Sequence, residues 1–189
     1  IILTGNPVRQ GLRNHHISRE EAIRSFGLDP SKKTILIVGG SLGARTINNC
    51  VMEGLDKIKA SGAQFIWQTG KIYIGEARAA VAQAGELPML HVTDFISDMA
   101  AAYSAADLII SRAGAGSISE FCLLQKPVIL VPSPNVAEDH QTKNALALVN
   151  KNAALYIKDA AAKEALLDKA VETVKQPETC LLYTSPSPR

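Results

Sequence analysis

Leu108-Ile109-Ile110-Ser111-Arg112-Ala113-Gly114-Ala115-Gly116-Ser117-Ile118-Ser119-Glu120-Phe121-Cys122-Leu123-Leu124 carries the fold of this chain. Its first three residues form an apolar, β-branched run of the kind that makes a buried strand. Its last four continue as a helix, and between them lie two glycines, three serines and one carboxylate. Such a strand-to-helix turn can hold a nucleotide. Glycines let backbone approach phosphate, the helix N-terminus offers free N–H groups and the positive end of its dipole, and a carboxylate accepts both hydroxyls of a ribose. The same residues also fit a plain turn, with Ser117 or Ser119 as N-cap and Glu120 in the first helical turn.

A second loop has the same construction. Thr34-Ile35-Leu36-Ile37-Val38 is a β-branched run followed by Gly39-Gly40-Ser41-Leu42-Gly43-Ala44-Arg45. A helix is expected over residues 44–60, with Ile47, Val51, Leu55 and Ile58 on one stripe. The spacing G-G-x-x-G is neither the dinucleotide fingerprint nor a P-loop, since no Gly-Lys-Ser/Thr follows. Two such loops at the carboxyl edge of one sheet suggest two points of contact on one ligand. A diphosphate with a sugar at each end fits.

Composition narrows the class. The chain has 189 residues, 47% of them hydrophobic and 20% charged, which allows a packed core and argues against disorder. The net charge of +2, the lack of a basic tract and an aromatic content of 5% give no support to nucleic-acid binding. Cys50, Cys122 and Cys180 have neither metal spacing nor a disulfide pattern, which fits a reducing compartment. No apolar run is long enough for a membrane span, and the first residues do not resemble a signal peptide. Ile1-Ile2-Leu3 starts in mid-strand without an initiating Met, so the chain is expected to be a piece of a longer protein.

Strands and helices alternate along the rest. Strands are expected at 1–4, 34–38, 64–68, 89–92, 107–111, 127–132 and 154–157. Helices are expected from Ser18, with a Ser18–Glu21 capping box, and at 44–60, 73–84, 96–103 capped by Ser97, 117–124, 140–151 and 161–175. Short strand–helix alternation implies an α/β fold, a doubly wound parallel sheet of Rossmann-like type covered on both faces. Residues 177–189 turn Ser/Pro-rich; they are expected to be a non-native tail of translated cloning or adapter sequence, with a natural linker as the alternative.

Five segments in order complete the pattern: Thr4-Gly5-Asn6-Pro7-Val8-Arg9, Gly39 to Arg45, Gln68-Thr69-Gly70-Lys71, Phe95 to Tyr103, and Arg112 to Glu120. Together with Pro132 to Asn135 and His140 to Ala145, they resemble the MurG family of bacterial N-acetylglucosaminyltransferases, over about residues 1–176. The resemblance implies a GT-B glycosyltransferase of two Rossmann-like domains, of which this chain is the C-terminal half. Residues 1–8 would end the first domain and form the hinge, and 9–176 would be the donor domain. It further implies inverting transfer of N-acetylglucosamine from UDP-N-acetylglucosamine to an undecaprenyl-linked muramyl-pentapeptide. That step serves peptidoglycan synthesis, and through it cell-wall biogenesis, shape and division. The parent would sit peripherally on the cytoplasmic face of the inner membrane. The acceptor site and any catalytic base would belong to the other domain, and no cofactor is implied.

Residue roles follow the motifs. Arg9 would meet the donor, the alternative being a hinge salt bridge. Ser41, with the N–H groups of Gly40 and Leu42, would bind the diphosphate. The backbone of Ile96 would read the uracil edge. Ala115, Gly116, Ser117, Ile118 and Ser119 would lie against phosphates and sugar, and Glu120 would hold the ribose hydroxyls. Gln141 keeps an amide for the sugar hydroxyls. His140 departs from the Gln-rich pair of some members, and a surface cap is the alternative for it. Asp139 and Glu138 can complement the helix dipole. No Asp-x-Asp pair offers a metal site, and the loop dipoles would neutralise the departing diphosphate. A UDP-N-acetylglucosamine epimerase and the donor subunit of a split N-acetylglucosaminyltransferase are the rival readings.

Overall fold

A computed structural model describes residues 17–40, 43–135 and 139–176. The expected strand at 1–4, the Asn6–Arg9 hinge, Ser41, Leu42, Glu138 and the 177–189 tail lie outside the described residues.

The elements in chain order are α1 (Arg19–Ser25), β1 (Thr34–Val38), α2 (Arg45–Glu53), α3 (Leu55–Ala60), β2 (Gln64–Gln68), α4 (Ile74–Ala84) and β3 (Leu90–Thr93). Then follow α5 (Met99–Ala105), β4 (Leu108–Ser111), α6 (Ala115–Leu124), β5 (Val128–Leu130), α7 (His140–Val149), β6 (Leu155–Tyr156), a 3-10 turn (Asp159–Ala161) and α8 (Ala162–Lys175). The six strands form one sheet in the order β3-β2-β1-β4-β5-β6, and every pairing is parallel. The doubly wound, Rossmann-like expectation is met.

All five residues of β1 are buried, because helices cover both sheet faces. Alternate side chains therefore feed two cores. Ile35, Ile37, Phe65, Trp67, Leu108 and Ile110 pack with residues of α2, α3, α4 and α8. Leu36, Val38, Ile66, Ile109 and Leu130 pack with residues of α1, α5, α6 and α7.

The amino edge of the sheet is closed by polar bonds. Asp107 accepts from the Thr34 N–H at 2.8 Å and pairs with Arg19 at 2.6 Å. Gln64 donates to the Asp29 carbonyl and to Thr34 Oγ1. Trp67 Nε1 donates to Asn48 Oδ1 at 2.9 Å while Asn48 Nδ2 donates to the Thr69 carbonyl at 2.8 Å, which docks α2 on β2.

Three local expectations change. The helix over 44–60 is broken at Gly54, which ends α2 and starts α3. A Cβ at Gly54 would overlap Leu167 Cδ1 and lie 2.9 Å from the Cys50 carbonyl oxygen, so the missing side chain lets α8 lie close. The cap of α5 is Asp98, whose carboxylate accepts from Ala101 N at 2.9 Å, and not Ser97. Helix α6 begins at Ala115 rather than 117. The Ser18–Glu21 capping box is present. Other boundaries move by a residue or two, the usual fraying range.

Candidate functional site

The strand order reverses between β1 and β4. From β1 the chain runs outward to β2 and β3, and from β4 outward to β5 and β6. The connections leave in opposite directions and open a crevice at the carboxyl ends of the two central strands. A cleft of about 190 Å³ lies there. The β1 end contributes Val38 and Gly40, β2 contributes Gln68, and β4 contributes Ser111. The β3–α5 connection and α5 add Phe95, Ile96, Met99 and Tyr103, and α6 adds Ser117 and Glu120. Gly40, Ile96, Ser117 and Glu120, expected from widely separated motifs, meet on one cavity wall.

The β1 loop turns through positive φ at Gly40 (80°) and Gly43 (81°). The Gly40 carbonyl accepts from Gly43 N at 3.0 Å and from Gln68 Nε2 at 2.9 Å. Arg45 is exposed beside it, at the start of α2.

On the β4 side, Gly114 is the N-cap of α6 and no side chain caps the helix. Ser119 Oγ donates to the Ala115 carbonyl at 3.1 Å, and Ser117 faces the cleft. The reading of this stretch as a plain turn capped by Ser117 or Ser119, with Glu120 in the first turn, is therefore corrected. The helix starts two residues early, at an extended Gly114 whose lack of a side chain leaves the following amide groups without a side-chain cap. Ala115 and Gly116 are exposed in that first turn. Ile118 is placed differently from Ser117. Its N–H donates to the Gly114 carbonyl at 3.0 Å and its side chain packs against the core.

Glu120 is 7% exposed, a carboxylate held inside the protein. Tyr103 Oη donates to its Oε2 at 2.7 Å. The tyrosine ring is itself fixed edge-on to Phe121, at 6.1 Å and 89°. A short O–H···O⁻ bond from a packed ring fixes the direction of the carboxylate.

The Ile96 side chain is buried in the second core, while its residue lines the cleft. Among the described residues, its backbone N–H and C=O make no backbone hydrogen bond. Phe95, next to it, is 56% exposed at the rim.

His140 and Gln141 open α7 away from the cleft lining. His140 is exposed. Gln141 Oε1 accepts from Ser133 N at 2.9 Å and from Ala113 N at 3.3 Å, and Asn144 Nδ2 donates to the Ala113 carbonyl at 3.1 Å. The carbonyl end of Gln141 thus braces the loops after β4 and β5, and its Nε2 end is what it can offer a ligand. Arg112 also braces. It pairs with Asp159 and donates to the Val131 and Pro132 carbonyls, while Thr46 Oγ1 donates to Asp159 Oδ2 at 2.8 Å. Among the described residues no cluster of three or more His, Cys, Asp or Glu is arranged to hold a metal, and no helix is long and apolar enough to cross a membrane.

Sequence reasoning missed Gln68 and Tyr103 as cleft residues. The available signal was a polar residue ending an apolar strand, and the one aromatic in the alanine-rich stretch 99–105.

Residues 34–187 match the family model of the glycosyltransferase family 28 C-terminal domain. A curated relative from Bacteroides fragilis is 70% identical over 179 residues, covering 94% of this chain and 47% of the relative. It is named UDP-N-acetylglucosamine--N-acetylmuramyl-(pentapeptide) pyrophosphoryl-undecaprenol N-acetylglucosamine transferase. The crystal structure of Acinetobacter baumannii MurG aligns with a TM-score of 0.70 and 29% identity, over 88% of this chain and 47% of that one. A structure described as a UDP-N-acetylglucosamine 2-epimerase from Listeria monocytogenes aligns at 0.64 with 14% identity, over 96% of this chain and 45% of that one, which is a likeness of fold. The chain spans about half the length of the curated relatives it matches.

Proposed function

Because the chain belongs to the family of the glycosyltransferase family 28 C-terminal domain, the C-terminal half of a GT-B glycosyltransferase, we propose that it is the half that grips the sugar-nucleotide donor, UDP-N-acetylglucosamine. The whole enzyme transfers the sugar with inversion to an undecaprenyl-linked muramyl-pentapeptide at the cytoplasmic membrane surface. The observation that carries this reading is the convergence of the β1 loop, Ile96 and Glu120 on one cleft at the point where the strand order reverses.

The donor lies across the cleft. The backbone of Ile96, in the cleft lining, meets the uracil edge, and Phe95 covers the rim. Glu120, aimed by Tyr103, accepts from the ribose hydroxyls. The amide groups of the β1 loop, with Ser41 and Leu42, and the uncapped first turn of α6 take the diphosphate. In transfer, negative charge grows on the diphosphate as the sugar leaves. Fixed N–H dipoles meet it without reorganising, which is where this half contributes to the rate. Gln141 Nε2 and Arg9 serve the sugar end, and residues 9–176 form the donor domain. The acceptor and the base are held by the other half, so this chain binds the donor without transferring it.

Calorimetric titration of the chain tests the reading. UDP and UDP-N-acetylglucosamine are expected to bind at least about 10-fold more tightly than ADP, because a backbone edge that pairs with uracil leaves its groups unmatched by adenine. Equal affinity for UDP and ADP would remove the base-reading role of Ile96, and no binding of either would remove the donor site.

A further inference from the structure

The two loops assigned to base and diphosphate grow from strands that do not touch. In the order β3-β2-β1, strand β2 stands between them. Gln68 is the last residue of β2, level with Val38 of β1 on one side and Thr93 of β3 on the other. From that position a side chain can reach both flanking loops. The Gln68 amide does so. Its Nε2 donates to the Gly40 carbonyl at 2.9 Å and to the Asp94 carbonyl at 3.0 Å. Gly40 belongs to the β1 loop, and Asp94 immediately precedes Phe95 and Ile96. The residue is 5% exposed, so water competes little for these bonds.

We propose that Gln68 is a positioning residue that sets the span between the base subsite and the diphosphate subsite, and so selects ligands that occupy both. This rests on the donor reading above. Both hydrogens of one planar amide nitrogen are used, which fixes the distance between two backbone segments through a single rigid group. A linked ligand gains its affinity by engaging two subsites at once, and that gain vanishes when their spacing no longer matches the linker. A ligand that touches one subsite does not sense the spacing. The structure also supplies a clean deletion. The Gly40 carbonyl keeps the Gly43 N–H at 3.0 Å, and the Asp94 carbonyl keeps the Gly70 N–H at 3.2 Å, so removing the amide leaves neither oxygen without a donor.

The test uses Gln68→Met, which keeps length and removes both donors, and Gln68→Glu, which sets a carboxylate against two carbonyls. Affinities for UDP, uridine and inorganic pyrophosphate are measured on each variant by chemical-shift titration, with thermal melting alongside. UDP affinity is expected to fall about 10-fold or more in both, while uridine and pyrophosphate change by less than about twofold. If Gln68→Glu does not fold, Gln68→Met decides. Unchanged UDP affinity in Gln68→Met, or a parallel loss for UDP, uridine and pyrophosphate, would overturn the positioning role while leaving the donor reading intact. Failure of the unsubstituted chain to bind UDP would overturn both.

Discussion

Gly43→Ala is expected to lower the unfolding free energy by about 2–4 kcal/mol, through left-handed backbone strain and overpacking together. Gly43 sits at φ 81°, where a β-carbon is strained regardless of space. Space is also lacking. The added Cβ would overlap the Thr69 carbonyl oxygen and lie 2.6 Å from Cδ2 of Tyr73. Thr69 is anchored in turn by Asn48, so the backbone cannot easily move aside. Relief by shifting the β1 loop would break the Gly43 N–H bond to the Gly40 carbonyl and move the diphosphate subsite. Urea denaturation followed by UDP titration checks both parts. A variant with the original midpoint and the original UDP affinity would show that the loop accommodates a side chain.

Glu120→Ala is expected to weaken UDP binding by about 1–3 kcal/mol, roughly 5- to 150-fold, since hydrogen bonds to a charged acceptor are lost. The effect on 2′-deoxy-UDP should be smaller, because that ligand already lacks one hydroxyl for the carboxylate. The two losses are therefore expected not to add, as for any two groups in direct contact. Calorimetry on both proteins with both ligands closes the cycle. Full additivity, or unchanged UDP affinity, would reduce Glu120 to a partner of Tyr103 within the core.

The β/α alternation was legible because strands buried on both faces must be continuously apolar, as Ile35–Val38 and Leu108–Ile110 are. The two glycine loops were legible for the same local reason, and they lead into the cleft the structure contains. What the sequence hid was set by contacts between distant residues. The close packing of Leu167 on Gly54, where α2 ends, joins residues more than a hundred positions apart. Arg112 has the chemistry of a phosphate ligand, yet Asp159 and two carbonyls occupy it. Gln141 looks like a sugar contact, and half of its amide holds backbone. Gln68 acquires its place only when β2 is known to lie between β1 and β3, which no local pattern encodes. The cap of α5 is different, being a choice between adjacent residues, Ser97 and Asp98, decided by where the first helical turn closes.

Amide NMR of the chain titrated with UDP tests the central claim most directly. The amides of Gly40, Ile96, Ser117 and Glu120 are expected to shift together along one saturation curve, since they line one cleft at the carboxyl edge of the sheet. The amides around the separate cavity between α2 and α4, lined by Asn49, Met52 and Glu76, are expected to stay still. Shifts confined to that second cavity, or an Ile96 amide unmoved while UDP saturates the protein, would contradict the account.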